Sequence, residues 1–225
     1  IGPQTRCNAA ISREGLDGHY GAEVGRTIIS SYASLDARMA ASAAAGSDAR
    51  MSGCSLPVVI NSGSGNQGIT ASMPVIVYAE EKGVSHERLV RALAISNLVA
   101  IHQKTGIGRL SAYCGAVSAA AGAGAAVTWL EGGNLEAIDD TIVNTLATVS
   151  GMICDGAKPS CAGKIAVAVS SALLANRMAM AGRCYRSGEG IVKDDVEKTV
   201  SGIGQIACDG MSETDSVILS VMMEC

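Results

Sequence analysis

The stretch of residues 110–130 carries no charged side chain and consists mainly of Ala, Gly and Ser. It is long enough to cross a bilayer, but small residues of these types gain little free energy on transfer into lipid. We therefore predict a helix that is buried on all sides inside the protein. Such a helix limits the folds open to the chain, because other helices can surround it only by packing closely through small side chains.

The rest of the chain has the composition that close helix packing requires. It contains 27 Gly, one Trp, five Tyr and no Phe, and its hydrophobic content of 48% over 225 residues is enough for one sizeable core. A second uncharged stretch, residues 51–79, contains Pro57, Pro74 and repeated Gly, which would leave backbone groups unpaired in lipid, so we expect no membrane span. The sequence predicts an all-α fold: one compact helical domain over residues 1–225, with Gly-rich loops and buried Ala/Gly-rich helices.

Periodic apolar residues and capping signals place the individual helices. The predicted helices cover residues 23–45, residues 85–104, residues 134–154 with Asn134 as N-cap, and residues 162–181, followed by two closing helices with capping signatures at Asp194 and Ser212. Residues 56–60 are a candidate for a short extended segment.

Three cysteines, Cys114, Cys154 and Cys161, are flanked by Gly, Pro or small residues that would let the backbone close around an inorganic centre. They could ligate three irons of a [4Fe-4S] cluster and leave the fourth iron open for a substrate. We expect Cys154 at the end of one helix and Cys161 at the start of the next, with residues 155–160 folding back so that both thiols face one spot. The alternative is that these cysteines are small buried packing residues, since their spacing matches no standard zinc or ferredoxin motif.

A loop rich in Gly, Asn and Ser, residues 61–68, offers exposed backbone N–H groups and side-chain donors that could hold a carboxylate or another anion. It lacks the Gly-Lys-Ser/Thr ending of a Walker phosphate-binding loop and the Gly-x-Gly-x-x-Gly motif of a dinucleotide-binding site. The alternative is a tight turn at a helix start. The candidate binding residues are Asn61, Ser62, Gly63, Ser64, Gly65, Asn66 and Gln67.

His19 lies in a turn bounded by glycines and could act as a catalytic acid or base, or simply hydrogen-bond its neighbours. Cys54 could be a thiol near the substrate or a buried residue. Cys7, Cys184 and Cys208 form no pattern that we can interpret. Lys and Arg are scattered, so we expect no nucleic-acid partner. The chain is not dense in Cys and shows no signal peptide, which favours a reducing cytoplasm over a disulfide scaffold.

Three segments together, residues 14–25, 52–69 and 154–164, resemble the L-cysteine desulfidase family, which is related to the catalytic alpha chain of bacterial iron-sulfur L-serine dehydratases. The resemblance implies β-elimination from L-cysteine to pyruvate, ammonia and sulfide, with L-serine as the alternative substrate. It implies a [4Fe-4S] cluster on Cys114, Cys154 and Cys161, no pyridoxal phosphate, and residues 61–67 as the segment that binds the small amino-acid substrate.

Members of that family are roughly twice this length, so the resemblance also implies that the chain is the C-terminal half of such a protein. We expect the general base to be His19 or to come from the N-terminal half, which would then be a partner of this domain; the oligomeric state is left open, a homo-oligomer included. Two further classes stay open: an electron-transfer or regulatory iron-sulfur module whose fourth ligand is Cys54 or Cys225, and a cluster-free helical domain that binds an anion.

Overall fold

The structure is a computed structural model that describes residues 1–108 and 111–224, so Leu110 and the candidate ligand Cys225 lie outside the described residues. The described residues form ten α-helices and one π-helical turn: α1 Gly2–Asp17, α2 Val24–Ser31, α3 Leu35–Met51, α4 Gly65–Lys82, α5 His86–Ile107, α6 Gly115–Leu130, α7 Leu135–Val149, α8 Cys161–Met180, α9 Val196–Gln205, the turn Ile206–Gly210, and α10 Ser212–Met223. Extended pairing within them is confined to two isolated bridges. The all-α prediction is confirmed.

Helix α6 lies at the centre of the fold. Every residue from Gly115 to Thr128 is buried, and α4, α5, α7 and α8 all pack against the helix. A Cβ atom at Gly122 would lie 2.3 Å from the Ser96 carbonyl oxygen, and one at Gly124 would lie 3.1 Å from Ala172. The neighbouring backbones therefore approach α6 as closely as its glycines allow, and the predicted helix buried on all sides is confirmed.

Helix α3 is a second buried helix of small residues. Its residues from Met39 to Ala49 are all buried, and α1, α2, α4 and α8 pack around it. A Cβ atom at Gly15 of α1 would lie 2.0 Å from the Ala45 carbonyl oxygen, and one at Gly25 of α2 would lie 2.5 Å from the Ala45 side chain. Helices α1 and α2 thus each need a glycine at their point of closest approach to α3.

The prediction of a single helix over residues 23–45 is wrong, because the chain breaks it into α2 and α3. Tyr32 is extended, and Ser34 begins α3 by accepting a hydrogen bond from the Ala37 N–H at 3.2 Å. At the end of α2, the Ser30 and Ser31 hydroxyls both donate to the Thr27 carbonyl. Such side-chain bonds to the backbone compete with helix continuation.

Helix α1 was not anticipated from the sequence. Its buried face includes Gln4, Asn8 and Ser12 beside Ile11, so the apolar periodicity that marks a helix is absent. These polar residues are satisfied by tertiary contacts: the Asn8 side chain accepts from the Val59 N–H at 2.8 Å, and the Ser12 hydroxyl donates to the Ser42 carbonyl at 2.7 Å.

The predicted helix starts at Ser85 and Asn134 are confirmed, since their side chains accept from the N–H groups of Arg88 and Ala137. The helix that begins after Asn134 ends at Val149, five residues before Cys154, because residues 152–154 pair instead with residues 112–114.

Both predicted closing caps are shifted by one residue. Asp195, and not Asp194, caps α9 by accepting from the Lys198 N–H at 2.7 Å, while Asp194 accepts from the Ser187 hydroxyl. Ser212 is the first residue of α10 and donates to the Asp209 carbonyl of the preceding π-helical turn.

Residues 56–60 form no strand. None of the described helices combines the length and the apolar character that crossing a bilayer would need.

The close approach at α6 can be tested with two matched glycines in helices. Gly122→Ala should lower the free energy of unfolding by about 1–3 kcal/mol, because the new methyl group meets a backbone carbonyl that cannot rotate away. Gly202→Ala in α9, where no atom lies within 4 Å of the new Cβ, should raise it by about 0.5–1 kcal/mol. Urea unfolding of the two variants measures both changes, and equal effects would contradict this account of α6.

Candidate functional site

A cavity of about 180 Å³ lies where three helices begin. Its lining comes from the starts of α4, α6 and α8 and from the segment before α8: Ser64, Asn66, Gln67, Cys114, Gly115, Ala116, Cys154, Gly156, Ala157, Cys161, Lys164 and Ile165. The structure therefore brings the three candidate cysteines and part of the Gly-rich loop to one place. Helix N-termini carry partial positive charge and free N–H groups, so this end of the fold favours anionic groups.

A short antiparallel pairing holds Cys114 beside Cys154. The Cys114 N–H donates to the Met152 carbonyl at 3.1 Å, the Cys154 N–H donates to the Ala112 carbonyl at 2.6 Å, and Tyr113 forms a bridge with Ile153. The two cysteines are distant in sequence, so this backbone clamp fixes their relative position.

The two clamped thiols influence each other's acidity in opposite directions. Interaction with Cys154, together with burial, raises the pKa of Cys114, whereas interaction with Cys114 lowers the pKa of Cys154 to about 6. The Gly156 N–H and the charge of Lys164 also lower the pKa of Cys154. At this pair a thiolate is therefore favoured at Cys154 over Cys114.

Cys161 reaches the same cavity through the turn of residues 155–160. Its sulfur accepts from the Lys158 N–H and lies near the Gly156 carbonyl, each at 3.5 Å. Gly156 has a φ of +90°, a conformation that favours glycine, so the turn can fold back as the sequence suggested.

Two lysines interact electrostatically with this group of thiols. Lys164 lines the cavity and is paired with Asp155. Burial acts to lower the pKa of Lys164, but the hydrogen bond to Asp155 and the charge of Asp155 raise it above the ordinary lysine value. Lys104, on α5, has a pKa lowered by burial although Cys154 and Cys114 act in the opposite direction. Lys104 could not be identified from the sequence, because no local motif links α5 to the cysteines.

The cavity can be tested for its fit to an iron-sulfur cluster. In the described part of the chain, no three His, Cys, Asp or Glu side chains are placed to hold a single metal ion. A [4Fe-4S] cluster bonds each thiolate through a different iron, so its cysteines need not converge on one point. The buried Gln67 Oε1 has no hydrogen-bond partner among the described residues, and a Cβ at Gly115 would lie 2.3 Å from the Gln67 amide nitrogen. The thiol donor set, the helix N-termini and this orphaned oxygen fit a cluster with a substrate beside it.

The seven candidate loop residues divide into two groups. Ser64, Asn66 and Gln67 line the cavity, whereas Asn61, Ser62, Gly63 and Gly65 are not among its described lining residues. Asn61 and Ser64 exchange backbone hydrogen bonds around Ser62 and Gly63, which both have positive φ.

The first group is held firmly by its neighbours. The Ser64 hydroxyl accepts from the Gln67 N–H at the start of α4, and the Asn66 Oδ1 accepts from Arg50 at 3.1 Å. Asn61 has a structural position, because its amide donates to Asn97 Oδ1 at 2.9 Å. The loop thus presents Asn66 and Gln67 on a rigid support.

His19 is not among the described residues that line the three-cysteine cavity. It is exposed, and its Nδ1 lies 2.7 Å from Glu23 Oε1. The surrounding segment is held by Asp48, which is 1% exposed and accepts from the Gly25 N–H at 3.1 Å. Asp48 thereby caps α2, whose own N-cap residue Glu23 forms no side-chain cap.

A family model described as "Serine dehydratase alpha chain" matches residues 3–220. The chain belongs to this family. The relation to serine dehydratase alpha chains that the three sequence segments implied is therefore confirmed, and it connects the chain to lyases and to iron-sulfur chemistry.

Similar relatives in the serine dehydratase alpha chain family are named UPF0597 proteins. One from Lachnoclostridium phytofermentans is 56% identical over 98% of this chain and 53% of the relative. One from Treponema denticola is 54% identical over 98% of this chain and 53% of the relative. One from Desulfitobacterium hafniense is 54% identical over 98% of this chain and 51% of the relative. The chain spans about half the length of these relatives.

The buried carboxyl group of Asp48 predicts a specific pH dependence of stability. Burial is the largest influence and raises the pKa of this carboxyl group. Hydrogen bonds from the N–H groups of Gly25 and Val24 act in the opposite direction and lower it. A carboxyl group with a raised folded-state pKa contributes stability that is present below the ordinary aspartate pKa and is lost as the pH rises through the folded value.

Asp48→Asn removes this loss and keeps an oxygen for the Gly25 N–H. Relative to wild type, the variant should therefore gain stability as the pH rises above the ordinary aspartate pKa of about 3.9. Urea unfolding of both proteins at several pH values measures the difference, and a difference that does not change with pH would contradict the assignment.

Proposed function

We propose that this chain forms the catalytic domain of an iron-sulfur lyase that eliminates the β substituent of a small L-amino acid, converting L-cysteine to pyruvate, ammonia and sulfide. The observation that supports the proposal is the single cavity lined by three thiols and by loop side chains at three helix starts. In the reaction the Cα–H and Cβ–S bonds break, sulfide leaves, and water converts the resulting aminoacrylate to pyruvate and ammonia. L-serine is the alternative substrate, because only the leaving group differs.

Cys114, Cys154 and Cys161 would hold a [4Fe-4S] cluster. When bound through three cysteines, the cluster supplies a Lewis acid with one iron free of protein ligands. This chemistry requires no pyridoxal phosphate. The protein's own part would be to offset the negative charge of the bound thiolates, because the starts of α6 and α8 lie at the cavity and Lys164 adds a positive charge beside it.

The side chains at the start of α4 suit the two ends of an amino acid. Arg50 holds the Asn66 oxygen, which leaves the Asn66 amide N–H groups to donate to a substrate carboxylate next to the free N–H groups of the helix start. The orphaned Gln67 Oε1 can accept from the substrate amino group. Rigid support of these groups matters, because displacement of about 1 Å can reduce the rate about a hundredfold.

The proposed reaction also needs a general base to remove the Cα proton. The described residues that line the cavity include no histidine, and His19 is exposed elsewhere. We therefore propose that the base comes from the part of the full-length relatives that this chain does not span. His19→Ala in the full-length protein should retain turnover; loss of turnover with the cluster intact would assign the base to His19 instead.

The decisive experiment uses the full-length protein purified without oxygen. We expect broad visible absorption from an iron-sulfur cluster and formation of pyruvate and sulfide from L-cysteine, with L-serine measured in parallel. Cys154→Ser should lose both the colour and the activity. Cys208→Ser is the matched control, because Cys208 is free, exposed and outside the cavity, and it should keep both.

Two other results would give the site a different role. A coloured protein that releases no pyruvate from either amino acid would identify an electron-transfer or regulatory module. A colourless protein that still binds a carboxylate would identify an anion-binding helical domain.

Asn66→Ala tests the substrate side of the cavity separately from the thiols. The variant should keep the visible absorption of the full-length protein and reduce kcat/KM at least about tenfold, because a hydrogen bond to a charged carboxylate is lost. Steady-state kinetics together with absorption spectra measure both effects. Full activity in Asn66→Ala would remove Asn66 from the proposed site.

A further inference from the structure

A second cavity, a groove of about 420 Å³, lies among α1, α2, α3 and α4. This volume is within the range of small-molecule binding sites. Among the described residues, the groove has no lining residue in common with the three-cysteine cavity. Its apolar walls are formed by Ala9 and Leu16 on α1, Ile29 on α2, and Met73 and Val77 on α4.

One hydroxyl in the groove is buried without a hydrogen-bond partner. Ser42 on α3 lines the groove and is 6% exposed, and its hydroxyl forms no hydrogen bond within residues 1–108 and 111–224. The hydroxyls of Ser47 and Ser118 are also unpaired, but they are sealed from solvent, whereas the hydroxyl of Ser42 is not. A ligand in the groove can therefore reach the Ser42 hydroxyl and supply the partner that a buried polar group normally has.

The groove carries two positive and two negative side chains. Arg38 on α3 is paired with Glu81 on α4 at 2.8 Å. Arg13 on α1 and Glu80 on α4 are exposed, and neither side chain has an ion pair or a hydrogen bond in the described part of the chain. One cation and one anion are therefore left to pair with a ligand.

This balance of charge favours a ligand that carries both signs. A ligand with only a negative charge would be repelled by Glu80 and Glu81. A ligand with only a positive charge would be repelled by Arg13 and Arg38. A zwitterion can instead present a carboxylate to Arg13 and an ammonium group to Glu80, so it gains from both unpaired side chains.

We propose that this groove binds a small zwitterionic α-amino acid with an aliphatic side chain. The Arg13 guanidinium and the Ser42 hydroxyl donate to its carboxylate, and the Glu80 carboxylate accepts from its ammonium group. The aliphatic side chain packs against Met73 and Val77. The site is separate from the three-cysteine cavity and does not depend on the elimination chemistry proposed for that cavity.

Three probes with the same branched body test the ligand class: L-leucine, 4-methylpentanoate, which lacks the ammonium group, and 3-methylbutylamine, which lacks the carboxylate. Methyl NMR spectra of the full-length protein locate the binding, because Ile29 and Met73 line the groove. We expect L-leucine to shift both signals with a millimolar dissociation constant and each analogue to bind at least about tenfold more weakly. Equal affinities of the three probes, or no shift up to tens of millimolar L-leucine (about tenfold above the expected constant), would overturn the proposal.

Two arginines on α1 test the carboxylate contact. Arg13→Gln should weaken L-leucine binding about tenfold, because a charge-assisted hydrogen bond is lost. Arg6→Gln is the control, because Arg6 is exposed on the same helix and is not among the described residues that line the groove, and it should leave the affinity unchanged. Equal effects of the two substitutions would contradict the assignment.

A change of charge at Glu80 tests the ammonium contact. Glu80→Lys leaves the groove with a net positive charge, so 4-methylpentanoate should then bind more tightly than L-leucine. An unchanged order of affinities would remove Glu80 from the site and overturn the proposal.

Ser42→Ala separates binding from folding. Because the hydroxyl has no partner in the described residues and Ala favours a helix, the variant should keep or raise the melting temperature while weakening L-leucine binding about tenfold. A lower melting temperature would show that the Ser42 hydroxyl is already satisfied within the protein. Asn66→Ala distinguishes the two cavities: it should leave the shifts of Ile29 and Met73 unchanged, and their loss would assign the binding to the three-cysteine cavity and overturn the proposal.

Discussion

The close packing of four helices around α6 is the constraint on which the rest of the structure depends. Gly122 and Gly124 let the backbone of α5 and the side chain of Ala172 on α8 come within contact distance of α6. Because α4 and α8 rest against the same helix, their starts reach the same end of the fold as the start of α6. The position of the three-cysteine cavity therefore follows from backbone packing. The helices that carry its lining residues are held in place by tight contacts with α6.

Electrostatics and packing act together at that end of the fold. Three helix starts and the charge of Lys164 favour negative charge, while Cys114, Cys154 and Cys161 provide groups that can carry it. Asp155 pairs with Lys164, so the three helix N-termini contribute much of the remaining positive potential. These features support the iron-sulfur site that we propose.

The sequence predicted those parts of the protein that local patterns determine. The burial of α6 followed from its composition, and the approach of Cys161 to Cys154 followed from the short turn between them. The charge interaction of Lys104 with Cys154 could not be predicted, because no local motif links α5 to the segment that carries Cys154. Helix α1 was missed for the same reason: Asn8 is compatible with a buried helix face only because its hydrogen-bond partners come from other segments.

The clamp between residues 112–114 and residues 152–154 has a consequence for the assembly of the protein. Helices α6 and α7 separate these two segments, so the nascent chain brings Cys114 to Cys154 only after the α6–α7 hairpin has closed. Short zinc-finger motifs can capture metal while still unfolded and use it to drive folding. In this chain the α6–α7 hairpin must close before Cys114 and Cys154 can both bind one inorganic centre, so the proposed cluster would be complete only after that part of the scaffold has formed.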